Sequence, residues 1–480
     1  MSDNLLTHAR NAFERHDWAT LILDIRKFLG KVKSKRANPS VQANGAKKSF
    51  DDCLVSDRMA IIQLAVQAMP WVDFQTRWEL VSLIKRFGPD SIAPLITLLN
   101  QFKAENLSSS AQEAEQGEAE NGDRSNISSS NLSSFEANTS PSILSVPNND
   151  EDDEDWDLLW FIARILGNIQ HPDAITALIQ ILQTSPSEDV VTAAVMGLAQ
   201  QGKGAIAPLS KLLHYDATKL VATQALARIF AEEPNMALRD ILMTITQDVN
   251  ASVRAVVIEA LSHAHQSQVT DLLVIASDDV AAIVRRAAVT GLGIQAKVCD
   301  ASIIPTILKS LEPRLWDLDM EVRRQTAIAL GRIQMVESAT LLCSALTAED
   351  FPTVIKPDVI RSLIWTNTEE GLNILSSYLH DYHPKASIYQ EIAVMLGRVE
   401  SPQLYEQATF ILLDLLNNHG VTRQSVIIKQ SIAMSLGQLR QPQAEATLVQ
   451  LSQDEDARVK LHAIAALKTL RGEWSDRKMD

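Results

Sequence analysis

The 480-residue sequence is poor in aromatic residues and has no long apolar run. Aromatic residues make up 5% of the chain and glycines number 17, whereas Leu, Ile, Ala and Val dominate. This composition favours helices packed through small aliphatic side chains over β-sheets. No apolar run approaches the roughly 18–20 residues that cross a bilayer, so we expect no membrane span.

Cysteines are also few, and the motifs of common enzymes are missing. Cys53, Cys299 and Cys343 are widely spaced and form neither a disulfide nor a zinc pattern, which favours a reducing compartment. The polar N-terminus lacks the apolar core of a signal peptide, so we expect a cytoplasmic protein. Phosphate-binding glycine loops, GxSxG and HExxH are absent, and we predict no catalytic residues and no metal site.

The formal net charge of -15 is unevenly distributed. Residues 101–156 contain 13 acidic and two basic residues, so the rest of the chain is almost balanced. A nucleic-acid partner is therefore not expected, because phosphate binding needs a basic surface. The acidic stretch is rich in Ser and Asn and poor in apolar residues, and we expect it to be a disordered insertion that is a solvated spacer, a tether or an acidic decoy for a basic partner.

A short motif recurs along the chain, and its clearest copies are VRRAAVTGLG (284–293) and VRRQTAIALG (322–331). Most copies are spaced by roughly 28 to 40 residues, which suits a unit of two helices. One copy places an apolar stripe on a single helical face. The stripe consists of Val322, Thr326, Ala329, Leu330 and Ile333. Such a helix, here called helix B, buries its stripe only by stacking on neighbouring repeats.

Glycine and proline recur at fixed places in the unit. Helix B carries a glycine nine residues after its first aliphatic residue, which predicts either a close helix contact or an approaching helix end. These glycines are Gly293, Gly331, Gly397 and Gly437. A preceding segment places Pro94, Pro208 and Pro305 equivalently, and we predict that each lies in the first turn of a partner helix, helix A.

An acidic residue recurs in the turn before helix B, six residues before a cation. The pairs are Asp248–Arg254, Asp279–Arg285, Asp317–Arg323 and Asp454–Lys460. Such an Asp can cap helix B and face the Arg of the same or the next repeat. The row is either a structural ladder or an exposed ligand-binding row, and the sequence leaves both readings open.

These features resemble HEAT repeats of the short, phycobilisome-lyase type, from about residue 76 to 472 outside the insertion. The resemblance implies an all-α fold, a right-handed α-α superhelix (HEAT-like or ARM-type solenoid) of about ten helix pairs. It implies a non-catalytic scaffold for protein partners without a cofactor. The alternative is a bilin lyase, or a phycobilisome assembly or degradation factor, acting on phycobiliproteins with a bound bilin. Deoxyhypusine hydroxylase shares such repeats but needs His-Glu dipeptides for its irons, and this sequence has none.

Under the lyase reading, basic residues would hold the bilin propionates and aromatic residues its rings. The candidate groove residues are Arg254, Arg285, Arg286, Arg323, Arg324, Trp316, Trp365 and Tyr389. Each also has a plain structural reading, since aromatic residues at these spacings commonly lie in cores or turns and arginines are commonly solvated.

The chain divides into six predicted regions. These are an N-terminal helix (1–30), a basic flexible linker (31–50), the start of the helical array (51–101), the acidic insertion (102–155), the main repeat array (156–472) and a C-terminal tail (473–480). The N-terminal helix is amphipathic, so a structural protein that oligomerises through it is a third hypothesis.

Overall fold

The fold is all-helical within the part of the chain that the structure describes. A computed structural model describes residues 2–36, 47–102, 154–264, 267–382, 385–418 and 420–472, and these ranges contain no β-strand. The chain forms two compact units, Met1–Glu233 and Pro234–Asp480, here called unit 1 and unit 2.

Unit 1 contains ten α-helices in its described residues. They are α1 (Ser2–Glu14), α2 (Trp18–Arg36), α3 (Lys47–Ala68), α4 (Phe74–Ile84), α5 (92–102), α6 (Glu154–Gly167), α7 (Pro172–Thr184), α8 (Glu188–Gln200), α9 (Lys203–Leu212) and α10 (Asp216–Glu232). Short 3₁₀ helices at Met69–Trp71 and Lys85–Ser91 flank α4.

Unit 2 continues the same organisation. Its described helices are α11 (Met236–Thr244), α12 (Ala251–Leu261), α13 (Ser267–Ala276), α14 (Ala282–Gln295), α15 (Ile304–Leu311), α16 (Met320–Arg332), α17 (Val336–Thr347), α18 (Lys356–Trp365), α19 (Glu369–Asp381), α20 (Ala386–Leu396), α21 (Tyr405–Asn418), α22 (Gly420–Gln424), α23 (Val426–Leu439), α24 (Glu445–Leu451) and α25 (Ala457–Leu470).

From α5 onward the described helices form ten pairs, each with a helix A followed by a helix B. Within each unit the B helices pack on one another in chain order, α6 on α8 on α10 and then α12 through α25. Most A helices pack on their own helix B, namely α7, α9, α11, α13, α15, α17, α21 and α24. The predicted fold class is therefore confirmed: each unit is a stack of helix pairs of the α-α superhelix class.

The core consists of the stripes that helix B turns toward its neighbours. In α16 the five predicted stripe residues are all buried, and Leu330 is completely inaccessible to solvent. The motif glycines allow the B helices to approach closely. A Cβ atom on Gly331 would lie 2.8 Å from the Cα atom of Ser362 on α18, closer than real Cβ contacts come. The other three glycines approach the following helix B in the same way: Gly293, Gly397 and Gly437. The close-contact prediction is confirmed.

The predicted proline position holds at Pro305, which lies in the first turn of α15. It is wrong for Pro208, because α9 begins at Lys203 and the proline lies in its second turn. The preceding Gly202 has a φ of 58° and starts the helix earlier than the motif indicates. The missing N–H of Pro208 would have bonded the carbonyl of Gly204, which is exposed to water.

The predicted N-terminal helix (1–30) is in fact two helices, α1 and α2. The helical conformation is interrupted at His16, whose φ of 54° is left-handed. At the start of α2, the carboxylate of Asp17 accepts a hydrogen bond from the backbone N–H of Thr20 (3.1 Å). The predicted linker (31–50) is also wrong at both ends, since α2 reaches Arg36 and α3 begins at Lys47. Lys and Arg are good helix formers, which explains both extensions.

The insertion interrupts one helix pair, as its position in the sequence predicts. Helix α5 is described as far as residue 102, and its helix B, α6, is described from Glu154. Residues 103–153, the remaining linker residues 37–46 and the tail 473–480 lie outside the described residues.

Candidate functional site

The turn before helix B is held by its acidic residue. In four turns the Asp carboxylate accepts a hydrogen bond from the backbone N–H two residues later, at 2.8–3.0 Å. These residues are Asp248, Asp279, Asp317 and Asp454. The expectation that they cap helix B is wrong, because the residue two positions later does so where it is polar. Asp319, for example, accepts hydrogen bonds from the N–H groups of Glu321 and Val322.

The carboxylates are instead bound by the arginine of the preceding repeat. Arg254 donates from Nε and Nη2 to the two carboxylate oxygens of Asp279 (2.9 and 2.7 Å). Arg285 donates from Nε and Nη2 to the two carboxylate oxygens of Asp317 in the same bidentate way (both 2.7 Å). The predicted pairing with the same or the next repeat is therefore wrong in direction: helix B of one repeat reaches forward to the turn of the repeat that follows.

Each arginine also holds its own turn. Arg254 Nη1 donates to the carbonyl oxygens of Asp248 (2.7 Å) and Val249 (3.1 Å). Arg285 Nη1 makes the equivalent bonds one repeat later, to Asp279 (2.9 Å) and Val280 (3.1 Å). One guanidinium thus ties two consecutive turns together, which is the arrangement that a structural ladder needs.

Ionisation in the ladder follows from this geometry. Burial alone would raise the pKa of Asp317, but hydrogen bonds from Arg285 and from the Asp319 N–H, together with nearby arginine charges, hold that pKa below its usual value. The pKa of Asp279 is lowered by the same balance, with Arg254 as the donor. Hydrogen bonding to Asp317 raises the pKa of Arg285. The rungs are therefore fully charged ion pairs near neutral pH.

The ladder changes register after its second rung, Arg285–Asp317. Arg323 donates to the carbonyl of Asp317, and the forward contact passes to Arg324, whose Nε lies 3.1 Å from a carboxylate oxygen of Asp358. Asp358 also binds Arg361, which in turn binds Glu391 on α20. Ion pairs thus continue through three further B helices in a row different from that of the first rungs.

The last rung differs from the sequence prediction. Asp454 pairs with Lys429 of the preceding helix B (2.5 Å), so the predicted partner Lys460 is not its ion-pair partner. Burial opposes the shift, but the Lys429 hydrogen bond and the N–H of Asp456 hold the pKa of Asp454 below its usual value. Lys460 corresponds to Arg285 and Lys429, but no further repeat follows it within the described residues.

The ladder turns carry a row of exposed aliphatic side chains. Val249, Val280 and Leu318 each directly follow a ladder Asp, and they are 99%, 94% and 94% exposed. The aromatic ring of Trp316 and the side chain of Met320 are exposed beside Leu318. We call Val249, Val280 and Leu318 the aliphatic row. The three apolar side chains occupy equivalent places in consecutive repeats, and almost all of their surface is in contact with water.

The sequence analysis missed this row because it considered only the charged residues of the turns. The signal was present as an aliphatic residue after the ladder Asp in three successive copies, DVN, DVA and DLD. In the fourth copy the equivalent residue is Glu455, so the row ends before the last repeat.

The eight predicted groove residues do not come together as one surface. Arg254, Arg285 and Arg323 belong to the ladder, and Arg324 is paired with Asp358. Tyr389 is a correction: it lies on α20 with only 2% of its surface exposed, so its side chain belongs to the core and not to an open groove.

The remaining three groove residues stay accessible. Trp316 and Trp365 are exposed, and the ring of Trp316 packs edge-on against buried Phe351 (5.5 Å between centroids). Arg286 makes no ion pair with the described residues.

Unit 1 contains a second cluster that sequence reasoning did not single out. The guanidinium of Arg164 on α6 lies against two indole rings, 5.1 Å from the Trp78 centroid and 4.7 Å from the Trp160 centroid. Trp78 belongs to α4 and also lines an open groove of about 450 Å³ beside α2. The signal in the sequence was two Trp-containing segments with nearby cations, RWELVSLIKR (77–86) and DWDLLWFIAR (155–164).

Metal and membrane features can be assessed only for the described residues. Within them no group of three or more His, Cys, Asp or Glu residues is arranged to hold a metal ion. Among those same residues, no helix has both the length and the apolar character needed to cross a membrane.

Comparison with known proteins supports the repeat assignment. A family model described as HEAT repeats matches residues 151–229, which include α6 through α10. No curated protein matches the sequence.

Three solved structures are similar at low identity. A mutant of Kap121p is 11% identical, with 98% of this chain and 53% of that chain covered and a TM-score of 0.48. The E. coli protein YibA is 17% identical, with 59% and 98% covered and a TM-score of 0.38. Human deoxyhypusine hydroxylase in complex with glycerol is 18% identical, with 63% and 97% covered and a TM-score of 0.24.

Proposed function

We propose that this HEAT-repeat protein is an interaction scaffold that binds a protein partner along the aliphatic row of unit 2. The observation that carries the proposal is the near-complete exposure of Val249, Val280 and Leu318 at equivalent places in consecutive repeats. A partner that covers the row removes this apolar surface from water, and the hydrophobic effect then favours binding.

The ladder makes this surface rigid before a partner arrives. Arg254 and Arg285 each hydrogen-bond the carbonyl of the aliphatic residue in their own turn, at Val249 and Val280. Both arginines are anchored in turn by the Asp of the next repeat. A partner therefore loses little free energy to ordering these turns, which favours tight binding by a modest surface.

The test compares two triple variants of the full chain. The row variant carries Val249→Ser, Val280→Ser and Leu318→Ser, and the control variant replaces three other exposed apolar residues of unit 2 by Ser. The control residues are Met236, Ile275 and Val354. Each protein is used to isolate partners from the native host, and the bound proteins are quantified by mass spectrometry.

We expect the control variant to retain the partners of the unaltered chain and the row variant to lose them. All three proteins should show the same thermal melt, since the exchanged side chains are exposed. Equal partner recovery by the row variant and the unaltered chain would refute the proposed surface.

Bilin attachment is the alternative function, and it stays a prediction from the sequence resemblance, as do phycobiliprotein partners and a cytoplasmic location. The supporting groove is weakened by the buried position of Tyr389 and by the pairing of Arg324 with Asp358. Absorption spectra of the material isolated with the unaltered chain test this alternative, because a bound bilin absorbs visible light. Light scattering of the isolated chain tests the oligomerisation hypothesis.

A further inference from the structure

The Trp–Arg cluster of unit 1 contains a cation that no described acidic residue pairs with. The guanidinium of Arg164 lies against both Trp78 and Trp160, whose rings are themselves in edge contact (5.6 Å between centroids). Its Nε is buried and has no hydrogen-bond partner among the described residues. A buried N–H of a charged group that stays unpaired costs free energy, so its retention calls for an explanation.

A second cation lies beside it. Lys85 follows α4 directly, and its pKa is lowered, first by burial and second by the positive charge of Arg164. No acidic residue of the described chain pairs with either group. Two like charges that are partly removed from water and left uncompensated are typical of a site whose anion comes from a ligand.

The groove beside α2 gives such a ligand room to bind. It is lined by Arg26, Gln75, Trp78, Glu79, Ser82, Leu83 and Arg86. Arg26 is already paired with Glu79 (2.7 Å), whereas Arg86 is exposed and makes no ion pair with the described residues. Trp78 is shared by the groove and the Arg164 stack, so a bound chain could touch both.

We propose that this cluster is a second binding site, for an acidic peptide segment of a partner protein that also carries an aromatic residue. Carboxylates of the segment would pair with Arg164, Lys85 and Arg86, and its ring would pack on Trp78. The site is distant in sequence from the aliphatic row and does not depend on it.

A peptide fits the charges better than a nucleic acid does. Specific nucleic-acid binding commonly uses about 6–10 phosphate contacts, whereas this cluster offers three cations that no described acidic residue pairs with. The groove also contains the carboxylate of Glu79, and the chain as a whole carries a net charge of -15. Two or three carboxylates match the available cations without repelling the rest of the surface.

The test measures fluorescence anisotropy of a labelled synthetic peptide in which Glu and Asp alternate around one Trp, added to the full chain. A matched peptide with Gln and Asn in place of the acids is the ligand control. We expect the acidic peptide to bind, the neutral peptide to bind at least about tenfold more weakly, and the affinity to fall with added salt.

The protein variants are Arg164→Gln and Lys85→Gln, with Arg10→Gln as a control at an exposed arginine of α1 that makes no ion pair with the described residues. Loss of one charge-assisted contact should weaken peptide binding by about tenfold in each test variant and leave it unchanged in the control. Arg164→Lys, which keeps the charge, guards against a loss of fold and should retain part of the affinity.

Lys85→Gln separates a binding role from a structural one. Removal of an uncompensated cation should raise the melting temperature slightly and should weaken binding of the acidic peptide. Equal affinity of both peptides, unchanged affinity in Arg164→Gln, or tighter binding of a single-stranded oligonucleotide than of the acidic peptide would overturn the proposal. If the aliphatic-row variant still recovered its partners, the proposal for this site would be unaffected, because the row substitutions lie in unit 2.

Discussion

The Arg285–Asp317 rung predicts a specific loss of stability when its negative charge is removed. Both side chains are sheltered, with 12% of Arg285 and 3% of Asp317 exposed. Asp317→Asn keeps the shape and the acceptor for the Asp319 N–H, so the turn should survive. The change leaves the guanidinium of Arg285 without a counterion in a poorly hydrated place.

The expected cost follows from this burial. Truncation of one partner of a buried, hydrogen-bonded charge pair costs about 2–5 kcal/mol. Arg285 keeps its bonds to the carbonyls of Asp279 and Val280, so we expect about 2–3 kcal/mol, the low end of that range. The control is Glu445→Gln in the exposed pair with Arg471, where each side chain is 49% exposed. Such a surface pair should contribute less than about 1 kcal/mol.

Urea unfolding followed by far-UV circular dichroism gives both values. The double variant Arg285→Met with Asp317→Asn should be less destabilised than the sum of the two single changes, by roughly 1–3 kcal/mol. Hydrogen exchange should localise the weakened contact to α14 and α16. A cost for Asp317→Asn no larger than that for Glu445→Gln would refute the view that the rung is a sheltered ion pair.

The pH dependence provides an independent check on the same rung. The folded-state pKa of Asp317 lies below its usual value of 3.8, so its contribution is fully present above that pH and is lost as the pH falls through the folded pKa. The unaltered chain should therefore lose stability below about pH 4 more steeply than Asp317→Asn, because the variant cannot lose this interaction again.

Three further predictions concern packing and the unpaired cation. Gly331→Ala should destabilise the chain by about 1–3 kcal/mol in urea unfolding, because its Cβ would meet the Ser362 backbone, whereas Gly30→Ala in α2, with open space around it, should stabilise by up to about 1 kcal/mol. Leu330→Ala should cost about 2–5 kcal/mol in the same assay, since the side chain is fully buried. Lys85→Met should raise the free energy of unfolding at neutral pH by less than about 1 kcal/mol, seen as a higher melting temperature. This gain should fade as the pH rises through the lowered pKa of Lys85. The opposite sign in any of these would contradict the corresponding contact.

Helix B and its buried stripe follow from the sequence because they depend on local periodicity. The positions of Val322, Thr326 and Leu330 predict one apolar face, and stacking is the only way to bury it. The recurrence of Gly331 and its equivalents predicts close helix contact for the same reason: a residue without a side chain is kept where another backbone approaches. Each inference needs only residues within one or two turns of helix.

The helix starts were less predictable, because a break depends on single φ angles. His16 and Gly202 adopt left-handed conformations that no periodic pattern announces, and they divide the N-terminal helix and lengthen α9. The direction of the ladder could not be predicted either. Asp279 and Arg285 are six residues apart in the same repeat, and this spacing does not reveal which neighbouring repeat each side chain contacts.

The amino-acid sequence by itself determined that this chain is a stack of helix pairs with charged turns, because repeat length and apolar period are local properties. Only the tertiary structure decided which side chains remain in contact with water. It exposed Val280 and Leu318, buried Tyr389, and placed Arg164 against rings from two helices on either side of the insertion. Exposure and cross-repeat pairing depend on how neighbouring modules pack, and residues far apart in sequence set that packing.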